Sequence, residues 1–504
     1  MKNIKIISLV LIVISFSSCT DLDEKLYDQV EGSTFFTTDE EVSLGIASVY
    51  QAFLNWGGSN NVWMLQGLSS DELLIPVRGG DWENGGAPLA LHKHTWSESL
   101  PYLNDTWKTL YSIVARANTI IANIEGSGSL SESQKAAIAE VKTLRAMAYW
   151  QLLDLFGTPP LVTDAVIDPN NLPSNATSQE LFDFIETEVL NAIADLPNIK
   201  PDRGRMDKNS ARALLTNLYL NAETYTGSAR WNDVISVSDD IINSGQYVLT
   251  EGSFPNNYAA NNFNESTENI WVITGDPERA INNQMRFARL TLHYNQGEPY
   301  DIPGGFNGFC TIAEFYNTFS NDDLRKQKWL LEGQQYKSDG VTEILNRQGN
   351  PLIFTLDVPA ERLTGPEIEN AGVRFNKYDP RGAVFANGYY NSDFVLFNLA
   401  EIVFAKAEAN ARLGNFTEAA SLIAPIMERS GLTPLVSANV EDVYNERGRE
   451  LCFEGKRRTA MVRHNKFTTG TWLFKEVSEP YRNVFPIPQT QLDANPNLQQ
   501  NQGY

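Results

Sequence analysis

The chain has 504 residues, a net charge of −22 and three cysteines. So acidic a surface excludes nucleic acid and anionic lipid headgroups as partners held by charge, because both demand a basic footprint; neutral ligands are the natural class. Three cysteines make no disulfide framework, so stability must come from a large apolar core, and the length is ample for one or two domains.

The N-terminus reads Met1-Lys2-Asn3-Ile4-Lys5, an apolar run from Ile6 to Phe16, then Ser17-Ser18-Cys19. A basic start, about ten apolar residues and small residues before a cleavage point describe a secretory signal over 1–18. The run is too short to span a bilayer, which takes about 20 residues. Cys19 directly after the small residues resembles a lipobox, although Phe16 stands where Leu is commoner; the plainer alternative is an ordinary signal with a chance cysteine. Acyl chains on Cys19 would hold the protein to a membrane durably. Residues 19–34 then form an acylated tether that opens on the acidic stretch Thr20–Lys25, read as a solvated linker. Without residues 1–18 the net charge moves from −22 to −24. No later run approaches transmembrane length.

Helix signals follow in blocks. Thr37 with Glu40, Ser131 with Gln134 and Thr177 with Glu180 have the capping-box spacing. From Val141 to Phe156 the sequence is apolar on most sides, predicting a helix buried among others that stops at Gly157 before Pro159 and Pro160. Phe182, Ile185, Val189, Ile193 and Leu196 share one helical face. Two stretches read as helix hairpins. The first runs Ala211–Ala222, turns through Thr226-Gly227-Ser228 and resumes from Trp231 to Gly245. The second runs Leu399–Leu413, turns at Gly414-Asn415 and resumes from Phe416 to Arg429, where Pro425 should bend or interrupt it. Such pairs resemble tetratricopeptide units, irregularly spaced. The expected fold is mainly α, a helical scaffold (about 35–53, 101–250 and 396–470) carrying loop-rich regions with short strands at 54–100 and 251–395.

Few motifs carry chemistry. Glu446, Glu450 and Glu454 are spaced at i, i+4 and i+8, but Arg447, Arg449, Lys456 and Arg457 can pair with them, so scaffold outweighs catalysis. Cys452 reads as a buried thiol. His92 and His94 could be two metal ligands, yet no third His or Cys lies near, and His293 and His464 are isolated. No Walker loop, H-E-x-x-H or nucleophile elbow occurs. No catalytic residue, metal or cofactor is expected.

The order of motifs from Cys19 to Tyr504 resembles the SusD/RagB family of outer-membrane nutrient-binding lipoproteins. Phe35-Phe36-Thr37-Thr38-Asp39-Glu40-Glu41 and Ala47 to Tyr50 match its first helix. Trp107, Tyr111, Ile113, Ala117, Asn118 and Ile120 match its second motif, and Leu144-Arg145-Ala146 with Leu152, Phe156-Gly157 and Pro159 its third. Glu446-Arg447, Arg449-Glu450-Leu451 and Glu454-Gly455-Lys456-Arg457 follow, then Phe485-Pro486-Ile487-Pro488, Asn495-Pro496, Gln500-Asn501 and Gly503-Tyr504. Two departures, Phe397-Asn398 for an Arg-Tyr pair and Gln502 for a Pro, fall in scaffold segments. The resemblance implies one domain over 35–504, lipid-anchored on the outer membrane and facing the extracellular side. It implies a non-catalytic protein that captures oligo- or polysaccharide and passes it to a TonB-dependent SusC-like transporter.

Sugar rings pack their C–H faces on rigid aromatics while hydroxyls take planar polar partners. The best segment is Ser69 to Gly86, with Asp71, Arg78 and Trp82; Trp82 has no apolar sequence neighbours and reads equally as ligand platform or loop anchor. Its surroundings resemble a loop of one SusD-like subset that leads into His92, His94 and Trp96. Trp56, Trp63, Arg374, Tyr389, Tyr390 and Tyr294 are further candidates from the loop-rich regions. Competing readings are a surface glycosidase with two facing carboxylates, a binder of peptide or glycoprotein fragments, and a transporter lid without ligand affinity.

Overall fold

The computed structural model describes residues 38–57, 61–250, 256–276, 287–365, 367–386 and 389–504. The signal segment, Cys19, the tether and Phe35-Phe36 lie outside the described residues.

The first helix, α1 (Asp39–Phe53), starts one residue later than the Thr37 spacing suggests: Thr38 is the cap, its hydroxyl accepting from the Glu41 N–H at 3.2 Å while Glu41 accepts from the Thr38 N–H at 2.9 Å. Ser131 and Thr177 cap α2 (Glu132–Phe156) and α3 (Ser178–Ile193) as their capping boxes predict. Every residue of α2 from Val141 onward is buried except Lys142. It packs against the helix Pro101–Glu125 on one side and α3 on the other, and ends where the Gly157 N–H, at φ 72°, meets the Leu153 carbonyl at 3.0 Å. Burying each large apolar side chain along it is worth about 1.5–3 kcal/mol.

Both hairpins form. α4 (Lys208–Leu220) pairs with α5 (Trp231–Ile242), with a short helix Ala222–Thr226 between them, and α6 (Leu399–Arg412) pairs with α7 (Phe416–Arg429). The two hairpins also stack through α5 and α6. Pro425 does not interrupt α7. The helix continues because Ala419, Ala420, Ile423, Ile426 and Met427 are buried against α6, and that packing outweighs the hydrogen bond a proline lacks. Asn398, one of the two departures from the family pattern, caps α6 by accepting from the Glu401 N–H at 2.8 Å, and Phe397 beside it is fully buried.

The loop-rich regions hold short helices and two-residue strand pairs. The longest pairing, β1 (Asn269–Ile273) antiparallel to β2 (Phe394–Asn398), closes the second region onto the scaffold. Charges then join loops to scaffold. The helix α8 (Val440–Glu450) carries Glu446 and Glu450 into the interior, where Arg325 binds both at 2.6 and 2.9 Å and Arg429 binds Glu450 at 2.7 Å. Glu454, beyond the end of α8, takes Lys377 at 2.5 Å and the Tyr258 hydroxyl at 2.6 Å. All three carboxylates are buried and engaged by partners from other elements, which makes them joints between the second loop-rich region and the scaffold.

Candidate functional site

Trp82 sits in a chain segment forced into left-handed turns. Trp82, Asn84, Gly85 and Gly86 have φ values of 68°, 41°, 62° and 80°. Such a run tolerates glycine and asparagine far better than other residues, which accounts for the Asn-Gly-Gly sequence. The half-buried indole lies over Gly308, where a Cβ would stand 2.4 Å from Trp82 Cζ2. Its Nε1 donates to the Phe306 carbonyl at 2.9 Å, and Phe309 meets it edge-on at 5.8 Å. The ring is therefore fixed along one side and open on another.

Next to it, the Tyr294 hydroxyl donates to Asp81 Oδ2 at 2.7 Å, tying the second loop region to the first. The Arg347 guanidinium lies 3.7 Å from the centre of the Tyr294 ring and 3.6 Å from Asp81 Oδ2. Arg347 is aimed from below: its Nε donates to Glu369 Oε1 at 2.6 Å and its backbone N–H to Glu369 Oε2 at 2.8 Å. His293, fully buried, accepts the Asn295 N–H on Nδ1 at 3.0 Å, so its Nε2 carries the proton and donates to Glu369 at 2.8 Å. Burial lowers His293 to about 4, leaving it neutral at physiological pH. Burial works against the Glu369 carboxylate, but the bonds from Arg347 and His293 hold its pKa below the usual value. Burial and the bond to Asp81 raise the Tyr294 phenol to about 12. Arg362 and Glu83, paired at 2.6 Å, extend the polar rim.

The result is a shallow exposed surface with a fixed indole edge, a stacked tyrosine and guanidinium, and an acceptor, Asp81, between them. Each surface cation here already faces a carboxylate, so the patch offers hydrogen bonds in fixed directions more than net charge. A broad depression of about 580 Å³ between Gly297–Pro303 and Ala383–Phe385 adjoins the Tyr294 loop.

The other candidate residues fall elsewhere. Trp56 is stacked on Phe53 in the core, at 5.7 Å, and Trp63 is 1% exposed with its N–H on the Phe453 carbonyl at 3.0 Å. Asp71 is held by Arg457 through bonds of 2.7 and 2.8 Å. Arg78 is buried and donates to the Ile368 and Ala371 carbonyls at 3.0 and 2.9 Å. Arg374 is fully buried on the Asn307 side chain at 2.8 Å and the Ala371 carbonyl at 2.8 Å. Tyr390 is buried against Phe385, and the Tyr389 side chain lies outside the described residues. These placements remove Trp56, Trp63, Arg78, Arg374 and Tyr390 from any solvent-facing role, because tertiary partners cover them, while Asp71 stays partly exposed with both carboxylate oxygens taken by Arg457. Among the predicted site residues whose side chains are described, only Trp82 and Tyr294 share the exposed patch. Asp81, inside the Ser69–Gly86 segment, and Arg347 join them, and buried Glu369 and His293 hold Arg347 from beneath; Arg347 and Glu369 carry no sequence signal.

His92 binds the Leu73 and Leu473 carbonyls at 3.0 and 2.7 Å, and His94 the Ser69 carbonyl and Ser478 hydroxyl at 2.7 and 2.9 Å. Both rings are thus consumed by packing. Among the described residues no cluster of three or more His, Cys, Asp or Glu side chains is placed to hold a metal.

Comparison with known proteins places this geometry in context. The pattern described as "SusD family" matches residues 267–504, and a second, described as "Starch-binding associating with outer membrane", matches residues 81–220. The chain is 26% identical to the starch-binding protein SusD of Bacteroides thetaiotaomicron, over 84% of this chain and 82% of that one. It is 26% identical to a SusD-like protein of Bacteroides ovatus, over 87% and 78% respectively. Among solved structures it superimposes on surface glycan-binding protein A of Bacteroides uniformis with a TM-score of 0.75 at 19% identity, covering 92% of this chain and 99% of that one. Surface glycan-binding protein A of Bacteroides thetaiotaomicron, in complex with laminarihexaose, gives 0.74 at 18% identity, covering 92% and 100%.

Proposed function

The chain belongs to the SusD family, and from that membership we propose that it is a non-catalytic surface protein that captures a neutral oligo- or polysaccharide on the Trp82–Tyr294 face. The observation that carries this reading is the Asp81–Tyr294–Arg347 cluster beside the anchored Trp82 indole. Trp82 supplies a rigid apolar surface for a sugar C–H face. Asp81 accepts and Arg347 donates to neighbouring hydroxyls at fixed spacing, so little ordering remains to be done on binding. Neutral sugars fit better than sulfated or uronic ones, since Arg347 and Arg362 are already matched by Glu369, Asp81 and Glu83. The signal over 1–18 and acylated Cys19 would tether the protein to the outer membrane, facing outward, where it would deliver ligand to a TonB-dependent SusC-like transporter. A relative named for starch binding and a neighbour holding laminarihexaose support glucans as the first probes.

The test is native gel retardation of the full chain in detergent with starch, laminarin and other polysaccharides, beside Trp82→Ala and Tyr294→Ala. Retardation by a neutral glycan, lost in both variants, is expected. Retardation untouched by either moves the site elsewhere, and release of shorter sugars from any bound glycan replaces capture with hydrolysis.

A further inference from the structure

A second concavity, of about 710 Å³, lies around Arg203 and Phe263 and shares no lining residue with the Trp82 face. Phe263 is 36% exposed and shares the groove with Ile199, Tyr247 and Val272. The Arg203 guanidinium lies 3.9 Å from its ring centre. Arg203 is itself locked: Nε donates to both Asp393 oxygens at 2.9 and 3.1 Å, and Nη2 to the Gly275 and Asn391 carbonyls at 3.0 and 2.9 Å. One face of the ring is thus covered by an immobile cation, and the rest is left to the groove. This repeats the construction at Tyr294, where Arg347 stacks on an aromatic and is fixed from behind by a carboxylate.

The chemistry of the walls narrows the ligand. Lys200 donates to the Asn269 carbonyl at 3.1 Å and pairs with no carboxylate among the described residues. Asp202 and Asp207 also line the groove, so its charges give no surplus to attract an anion. Phe263 and Tyr247 are the aromatics of the groove, set among amides, hydroxyls and carboxylates, a mixture that suits sugar C–H faces and hydroxyls better than a hydrophobic peptide.

We infer that this groove is a second carbohydrate site, taking a short neutral sugar segment with one ring face on Phe263 and hydroxyls on the Lys200 ammonium. Pockets of about 300–1,000 Å³ hold ligands of that size. Two sites on one chain would favour polymers long enough to reach both over short oligosaccharides, through effective concentration.

Hydrogen–deuterium exchange of the full chain in detergent tests this, with maltohexaose and laminarihexaose as millimolar probes. Protection of residues 261–269 is expected in the native chain and in Trp82→Ala, lost in Phe263→Ala and retained in Phe263→Tyr. Protection confined to residues 78–86 and 290–296 overturns the second site and leaves the first standing. Protection of 261–269 alone, unchanged in Trp82→Ala, supports the groove and removes the first site. No protection at 261–269 with either sugar, or protection that survives Phe263→Ala, overturns the inference.

Discussion

Asp71 and Arg457 stand 386 positions apart and meet through two parallel hydrogen bonds of 2.7 and 2.8 Å. The pair fastens the segment ahead of the Trp82 loop to the helix Arg457–Arg463, and the Arg457 side chain is only 5% exposed. Losing one member of such a buried pair strands the other, at a cost of about 3 kcal/mol or more. Asp71→Asn should therefore lower the urea midpoint of unfolding while glycan affinity of the folded protein stays unchanged. A selective loss of affinity at unchanged stability would return Asp71 to the ligand surface.

Glu72, the next residue, gives a pH signature. It accepts the Phe453 N–H at 2.8 Å on one oxygen, and the other oxygen is buried without a partner. Burial, opposed by the Phe453 N–H and Arg457, pushes its pKa up from 4.5 to about 8. The unfolded chain ionises first, so the neutral form favours folding. That contribution is complete below about pH 4.5 and fades as pH rises to about 8, where it is gone. The full swing is on the order of 5 kcal/mol. Glu72→Gln keeps a neutral group in place, so its stability relative to wild type should climb across this range, as read by thermal unfolding at matched pH values. Parallel curves would show that Glu72 does not titrate there.

The legibility of the chain divides by the range of the interactions involved. Caps and periodicities are local, so the starts of α2 and α3, the stop at Gly157 and both hairpins could be read directly from the sequence. Pro425 does not interrupt α7, because its local penalty is outweighed by packing against α6. Trp63 looked exposed among Asn and Gly neighbours, yet its cover comes from Phe287, Phe309 and Phe453, far along the chain. Arg374 misled in the same way, its partners being backbone carbonyls brought together only by the fold. Conversely, Arg347 carries no sequence mark, because its meaning lies in Tyr294 and Glu369, which no spacing links to it.

Glu369 acts on the surface through Arg347. Glu369→Gln removes the charge that holds the guanidinium over Tyr294 and leaves buried His293 donating to an amide oxygen. Glycan affinity should fall about tenfold, comparable to Arg347→Ala, and combining the two substitutions should add little further loss. Because His293 stays neutral down to about pH 4, wild-type binding measured by calorimetry should be flat from pH 6 to 8. Additive losses would mean that Glu369 acts by another route.

Gly308 is the most direct test of how Trp82 is positioned. A methyl group there would lie 2.4 Å from Trp82 Cζ2, 2.5 Å from Cε2 and 2.9 Å from Cη2, so it meets the face of the six-membered ring and not a flexible tip. The indole must tilt away, which breaks the 2.9 Å bond to the Phe306 carbonyl and moves the apolar surface that a sugar would use. Overpacking of this kind costs about 1–3 kcal/mol of stability. Gly308→Ala should lose glycan retardation as Trp82→Ala does, though no atom of Gly308 need touch the ligand. The double variant Trp82→Ala with Gly308→Ala separates the two possibilities. With the indole gone the added methyl loses the three contacts that exclude it, so the double variant should bind no worse than Trp82→Ala alone and recover most of the stability lost in Gly308→Ala. A further drop in binding would place Gly308 itself against the ligand, and undiminished binding by Gly308→Ala would show that the pose of Trp82 is not what the glycan reads.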